Sequence, residues 1–171
     1  MSKFDISVVG ISGGNRECRV AASATRARVG EPINCVNTYT SGVGATNTVT
    51  QAADATPVIS TATTFHVGIC AKDFEVDSAG TVTAHKTLVT VPIPSVTRYR
   101  GDAKTKANLD TDTELLGLLW DLVLFDLTSS AFTIDETAAA DTSGLTIVGG
   151  NTAKGLLDVV VDARALRTDV A

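Results

Sequence analysis

Thr81-Val82-Thr83-Ala84-His85-Lys86-Thr87-Leu88-Val89-Thr90-Val91 is the clearest alternating run in the chain. Alternation at every second residue marks a strand with one buried face, because successive side chains leave a pleated backbone on opposite sides. Lys86 interrupts the apolar series Val82, Ala84, Leu88, so a bulge or a lysine at the sheet rim is expected near His85-Lys86. Pro92 and Pro94 follow. Neither donates an amide hydrogen, so they end the ladder or confine the strand to an edge.

Shorter runs of the same kind lie on either side: Ile6 to Val9, Ile33 to Tyr39, Thr46 to Thr50, Val58 to Thr61, Phe65 to Cys70 and Val96 to Tyr99. Ala131 to Ile134, Leu145 to Val148 and Leu156 to Asp162 continue the series. Turn-forming residues separate them: Gly13-Gly14, Gly30-Glu31-Pro32, Ser41-Gly42, Asp77-Ser78-Ala79-Gly80, Ser143-Gly144 and Gly149-Gly150-Asn151. Threonine and valine abound, and such β-branched side chains suit a half-buried pleated surface. The expectation is a mainly β protein, a small barrel or sandwich.

One amphipathic α-helix is expected near 111–128. Thr111 followed by Glu114 has the form of a capping box, and Asp112 adds a second acid at the positive end of the helix dipole. At helical spacing, Leu115, Leu118, Leu119, Leu122 and Phe125 share a broad apolar face. A doubly buried strand is the competing reading of Trp120 to Leu127.

The 171 residues are 44% hydrophobic and 19% charged, enough apolar surface for a core and too little repulsion for a disordered chain. Nineteen acids against fourteen bases give a net charge of −5, which disfavours a protein whose task is neutralising phosphates, so no direct nucleic-acid partner is expected. The stretch Leu115 to Leu127 carries Asp121 and Asp126 and is too short for a membrane helix, so no membrane partner is expected either. The amino terminus has no secretory-signal pattern, which implies synthesis in a cytosol. Cys18, Cys35 and Cys70 are spaced unlike zinc ligands or a disulfide framework and are read as reduced thiols, with a partial disulfide the alternative.

Charge is uneven along the chain: residues 1–110 hold 11 bases and 9 acids, and residues 111–171 hold 3 bases and 10 acids. Arg16, Arg19, Arg26 and Arg28 form one basic group, and Arg98, Arg100, Lys104 and Lys106 a second. Both suit solvated surface or docking onto an acidic partner, including a second copy of the chain.

No motif makes a convincing active site, and no enzyme, cofactor or metal is expected. Gly10-Ile11-Ser12-Gly13-Gly14 has the form of a nucleophile elbow, but too little chain precedes Ser12 to supply the upstream strands, and His66 and His85 follow no acid in the required order. The same stretch lacks the second glycine of a dinucleotide-binding turn. Asp135-Glu136 and Asp158/Asp162 are paired carboxylates without a sign of an apolar pocket. Asp73, Glu75 and Asp77 alternate so that three carboxylates share one side of an extended segment, as in a calcium site, but without the glycine and terminal glutamate of an EF-hand. Arg100-Gly101-Asp102 is an integrin-type tripeptide expected in an exposed connector.

Val29-Gly30-Glu31-Pro32-Ile33, Ala53-Asp54-Ala55-Thr56-Pro57-Val58, Val67-Gly68-Ile69-Cys70 and Asp77-Ser78-Ala79-Gly80-Thr81-Val82-Thr83 carry a resemblance over about the first hundred residues. In these the chain resembles the capsid decoration, or cement, proteins of tailed bacteriophages. The resemblance implies a compact β protein of the virion, made in the host cytoplasm, that binds the major capsid protein and bridges capsomers as a homo-oligomer, a trimer by preference. On it, residues 1–30 are expected as an N-terminal segment that reaches the capsid as an arm, and 31–171 as the β-rich domain. Arg16, Arg19, Arg26, Arg28, Arg98 and Arg100 are the candidate partner contacts. A phage tail-tube, tail-terminator or head-fibre protein is the alternative, and a carbohydrate-binding or adhesin module, short of aromatic platforms, a more distant one.

Overall fold

A computed structural model describes residues 6–21, 26–40, 44–57, 64–75, 86–128, 131–137 and 143–166. Its strands are β1 (Ser7–Val9), β2 (Asn15–Arg19), β3 (Arg26–Ala27), β4 (Pro32–Thr40), β5 (Gly44–Gln51), β6 (Thr64–Cys70) and β7 (Phe74–Glu75). β8 (Lys86–Thr90), β9 (Arg98–Asp102), β10 (Leu122–Thr128), β11 (Ala131–Asp135), β12 (Leu145–Asn151) and β13 (Leu156–Val161) complete the set, with α1 (Asp112–Leu118) between β9 and β10. The protein is mainly β, with two principal sheets, one curled into a half-barrel, and a single α-helix among the described residues. The six-stranded sheet has the order β1-β9-β13-β12-β10-β11, the five-stranded sheet β2-β8-β6-β4-β5, and β3 and β7 form a separate ribbon.

The five-stranded sheet curls because its outer strands approach each other. Val20 and Val49 form a parallel bridge, and the Ala21 N–H donates to the Val49 carbonyl at 2.8 Å. Inside the curl Val20, Ala21, Ala27, Ile33, Cys35, Val49, Cys70 and Val89 are buried together. A second, larger core lies on the six-stranded sheet and takes Ala52 and Ile69 from the half-barrel, so the two sheets share it.

β6 serves both cores through a change of phase. Its register against β4 shifts between Ile33/Gly68 and Asn34/His66, the mark of a bulge that leaves Val67 without a partner. Phe65 and Val67 therefore face the half-barrel with Cys70, while Ile69 faces the other core and His66 meets Tyr99 and Phe125 there. Gly68 is required at this kink: a Cβ there would lie 2.1 Å from the Thr90 carbonyl oxygen of β8.

Parts of the 1–30 segment lie in the sheets. β1 pairs with β9 and β2 with β8, so residues 7–9 are an edge strand of the six-stranded sheet and residues 15–19 an edge strand of the five-stranded one, held by backbone hydrogen bonds. β2 (Asn-Arg-Glu-Cys-Arg) escapes a hydrophobicity reading because as an outer strand it needs little apolar content.

The helix begins where the capping box predicts, with the Glu114 N–H donating to Thr111 Oγ1 at 3.3 Å and the Thr111 N–H to Glu114 Oε2 at 2.9 Å. It stops at Leu118, a turn follows at Leu119–Trp120, and Leu122–Thr128 of the expected helix 111–128 is strand β10. Past Leu119 the backbone finds partners in β12: Trp120 N–H donates to the Ile147 carbonyl at 2.9 Å, and Ile147 N–H to the Asp121 carbonyl at 3.0 Å. Val123, Leu124, Phe125 and Asp126 are all buried, so this strand is covered on both faces, and a continuous apolar run of that kind matches helical spacing as well.

Most expected strands coincide with β1, β4, β5, β6, β9, β11, β12 and β13. Val58 to Thr61, Ser41-Gly42, Asp77 to Gly80 and the first half of Thr81 to Val91 lie outside the described residues. In the described half of that run, Thr87 and Val89 point inward and Leu88 is half-buried, while Lys86 is exposed on the rim. Gly149-Gly150-Asn151 belongs to β12 and not to a turn. The reversal comes at Thr152–Lys154 and Gly155, whose φ of 62° suits glycine.

Candidate functional site

β2 and β5 are the outermost strands of the five-stranded sheet, joined among the described residues by the single Val20–Val49 bridge. Beside that bridge a cleft of about 190 Å³ enters the half-barrel. Its apolar walls are Cys35 of β4, Val49 of β5, and Phe65 and Val67 of β6. The fourth side is β2, which contributes Arg16, Glu17, Cys18 and Arg19. Alternation along β2 places Arg16 and Cys18 on the same face as buried Val20, with Glu17 and Arg19 on the other. Glu17 pairs with Lys86 of β8 at 2.5 Å, while Arg16 and Arg19 have no ion pair among the described residues. The mouth is thus cationic in a chain whose net charge is −5.

Of the six arginines expected to meet a partner, the fold brings Arg16 and Arg19 together along this cleft. Arg26 lies on the β3–β7 ribbon, and Arg28 follows it, its backbone N–H donating to buried Glu31 at 2.9 Å. Arg98 and Arg100 are on β9 of the other sheet. Arg98 is exposed, whereas Arg100 makes a two-pronged contact with Asp158, at 2.6 Å from Nε and 2.8 Å from Nη2. That pairing raises the guanidinium pKa further. Apart from Arg98, the second basic group is paired within the molecule: Lys104 bridges Asp126 at 2.8 Å and Asp135 at 2.7 Å, and Lys106 meets Asp102 at 2.7 Å.

The same contacts settle the acidic candidates. Burial acts to raise the Asp135 carboxyl, but hydrogen bonds from Lys104 and Thr137 outweigh it and hold the pKa low. Glu136 accepts from the Thr105 N–H and the Asn108 side-chain amide, both at 3.1 Å, and so fastens the loop before α1. Asp158 is the partner of Arg100. Asp162 caps the turn at Ala163–Ala165 and is held low by Arg164. The Arg100-Gly101-Asp102 tripeptide is not an exposed connector: it is the second half of β9, with Gly101 and Asp102 buried.

Ser12 Oγ accepts from the Gly14 N–H at 3.3 Å, a local turn contact, and the next element is β2 where a nucleophile elbow needs a helix. His66 is fully buried. Its Nε2 shares a 3.1 Å hydrogen bond with the Tyr99 hydroxyl, Nδ1 has no hydrogen-bond partner among the described residues, and burial lowers its pKa to about 3. His85 and Asp77 lie outside the described residues, and Asp73 Oδ1 accepts from the Val29 N–H. All three cysteines are thiols, with burial pushing the Cys18 and Cys70 pKa values up.

Sequence reasoning missed two features. One is the cleft itself. The other is a ridge at the end of α1, where Leu116 is 69% and Trp120 74% exposed. Leu115, Leu116, Leu118, Leu119 and Trp120 place five large apolar residues within six positions, more than one side of a short helix can cover, and that was the available signal. No family, curated protein or solved structure matches the chain.

Proposed function

We propose that the protein is a non-enzymatic structural protein that docks on a larger protein assembly, a decoration protein that binds the outside of a phage capsid and bridges its capsomers. The observation that carries this reading is the presentation of large apolar side chains on turns fastened to the sheets. Leu116 and Trp120 stand out beside β12, and Ile11, 68% exposed, stands out on a turn whose carbonyl accepts from Thr97 Oγ1 at 2.7 Å. Each such side chain forgoes about 1.5–3 kcal/mol of burial in the isolated chain, which contact with the shell or with a neighbouring copy on it recovers. Repeated over many copies on a shell, modest contacts sum to firm attachment.

The test is co-sedimentation of the purified protein with empty capsids, alongside tails from the same particles. Saturable binding to shells supports the reading. Absence of binding to shells, or binding to tails alone, overturns it.

A further inference from the structure

We infer that copies of the protein associate by seating the Leu116–Trp120 ridge of one copy in the β2–β5 cleft of the next. The inference develops the homo-oligomer element of the proposed function, and its test needs no capsid.

The ridge is built to protrude. Trp120 has φ 75°, a conformation that a bulky residue adopts only under strain, and its N–H is pinned to the Ile147 carbonyl at 2.9 Å. The backbone is thus anchored to β12 while the indole is left outside. Leu116 and Asp112 lie one above the other on α1, and Asp121 follows Trp120, so exposed carboxylates flank the apolar tip on both sides. No basic residue occupies the last turn of the helix.

The cleft offers the complement. Its walls are apolar, Arg16 is on the β2 face turned towards it and Arg19 borders it from the other face of that strand, and Lys86 already engages the neighbouring Glu17. At about 190 Å³ it is smaller than the roughly 300 Å³ at which small-molecule sites begin. One large side chain fills such a space, and the chain has a single tryptophan. The ridge packs beside β12 on the six-stranded sheet and the cleft belongs to the other sheet, so the two patches are distinct. Contact between different patches is heterologous and closes into a ring when the rotation allows. A trimer is one such ring.

The experiment uses the full chain. Its mass is followed by light scattering over a concentration series, and burial of its only indole by a shift of tryptophan emission to shorter wavelength. Oligomer formation with a concentration-dependent blue shift is expected. Trp120→Gly relieves the backbone strain, so the monomer folds, and loss of a central aromatic anchor weakens association by ~30-fold or more. Arg16→Glu with Arg19→Glu abolishes association, and adding Asp112→Lys and Asp121→Lys to the same chain restores it. Trp120→Cys treated with diamide forms a disulfide to Cys18 of the adjoining copy, each thiol giving one proton and one electron to the diamide. Adding Cys18→Ser removes the cross-link.

A monomer at every concentration, an oligomer indifferent to Trp120→Gly, or a cross-link that survives Cys18→Ser overturns the inference. A monomer that binds capsids through Trp120 assigns the ridge to the shell and also overturns it. A ring that binds no capsid supports the inference and sinks the proposed function alone.

Discussion

On the six-stranded sheet, Tyr99, Phe125 and Phe132 are fully buried, with centroids 6.2 Å apart between Tyr99 and Phe125 and 6.4 Å between Phe125 and Phe132. In the half-barrel the buried side chains are alanine, valine, cysteine and one isoleucine, and Phe65 lies half-exposed on the cleft. Both regions draw on β-branched strands. What differs is the volume of the side chains that meet across them: large rings fill one space, and small residues leave the other concave. The rims differ as well. Ion pairs to nearly buried carboxylates, such as Lys104 with Asp126, seal the first, whereas Lys86–Glu17 on the second is open to water on both sides. A concave region with unpaired arginines along one strand is suited to receiving a partner, and a filled one to holding shape.

That contrast breaks most visibly at Phe125. Phe125→Ala is expected to cost about 4 kcal/mol in denaturant unfolding, since a fully buried ring leaves a cavity, against about 1–2 kcal/mol for Phe65→Ala, whose ring already borders the cleft. Equal losses would mean that the two cores are alike.

The junction of the cores is expected to respond to acid. Burial holds the His66 pKa at about 3 in the folded state, whereas the unfolded chain takes up its proton near 6.5. The unfolded state therefore binds more protons between these values, and stability is complete above pH 6.5 and falls as pH drops towards 3. About 3 kcal/mol should be lost between pH 6.5 and 4, and His66→Phe should flatten this part of the profile. An unchanged slope in that variant would remove His66 from the account.

At the kink of β6, Gly68→Ala should cost about 2–3 kcal/mol, because the new methyl meets the Thr90 carbonyl of a neighbouring strand that cannot withdraw without breaking pairs. Thermal melting of the purified variant measures it directly. The rims give the smallest effects. Lys104→Met, which leaves Asp126 without its ion-pair partner, is expected to cost about 1–2 kcal/mol, and Lys86→Ala at most about 0.5 kcal/mol. A reversed order in chemical denaturation would contradict the sealed-against-open description.

Much of the fold was legible locally. Apolar and β-branched content at Phe65 to Cys70 and Leu156 to Asp162, and turns such as Gly13-Gly14, placed strands where they stand, because strand propensity and turn chemistry are carried by neighbouring residues. The capping box at Thr111 and Glu114 marked the start of α1 for the same reason: both hydrogen bonds lie within four residues. Leu122 to Leu127 was ambiguous, since a run apolar on both faces carries no period, and only pairing with β11 and β12 chooses strand. The site was less legible. Arg16 and Arg19 were marked by charge, but Cys35, Val49, Phe65 and Val67 come from three other strands and converge only when the sheet curls.

The sequence by itself determined that the chain is mainly β, with an acidic second half, because propensity, period and charge belong to residues one or a few places apart. Only the tertiary structure decided that half of the second basic group would meet that acidity within one molecule, Arg100 with Asp158 and Lys104 with Asp126 and Asp135, while Arg16 and Arg19 were left beside a cleft. The reason is strand order: β13 lies beside β9, and β2 at the margin of the other sheet, and neither neighbour is set by residues near it in the chain.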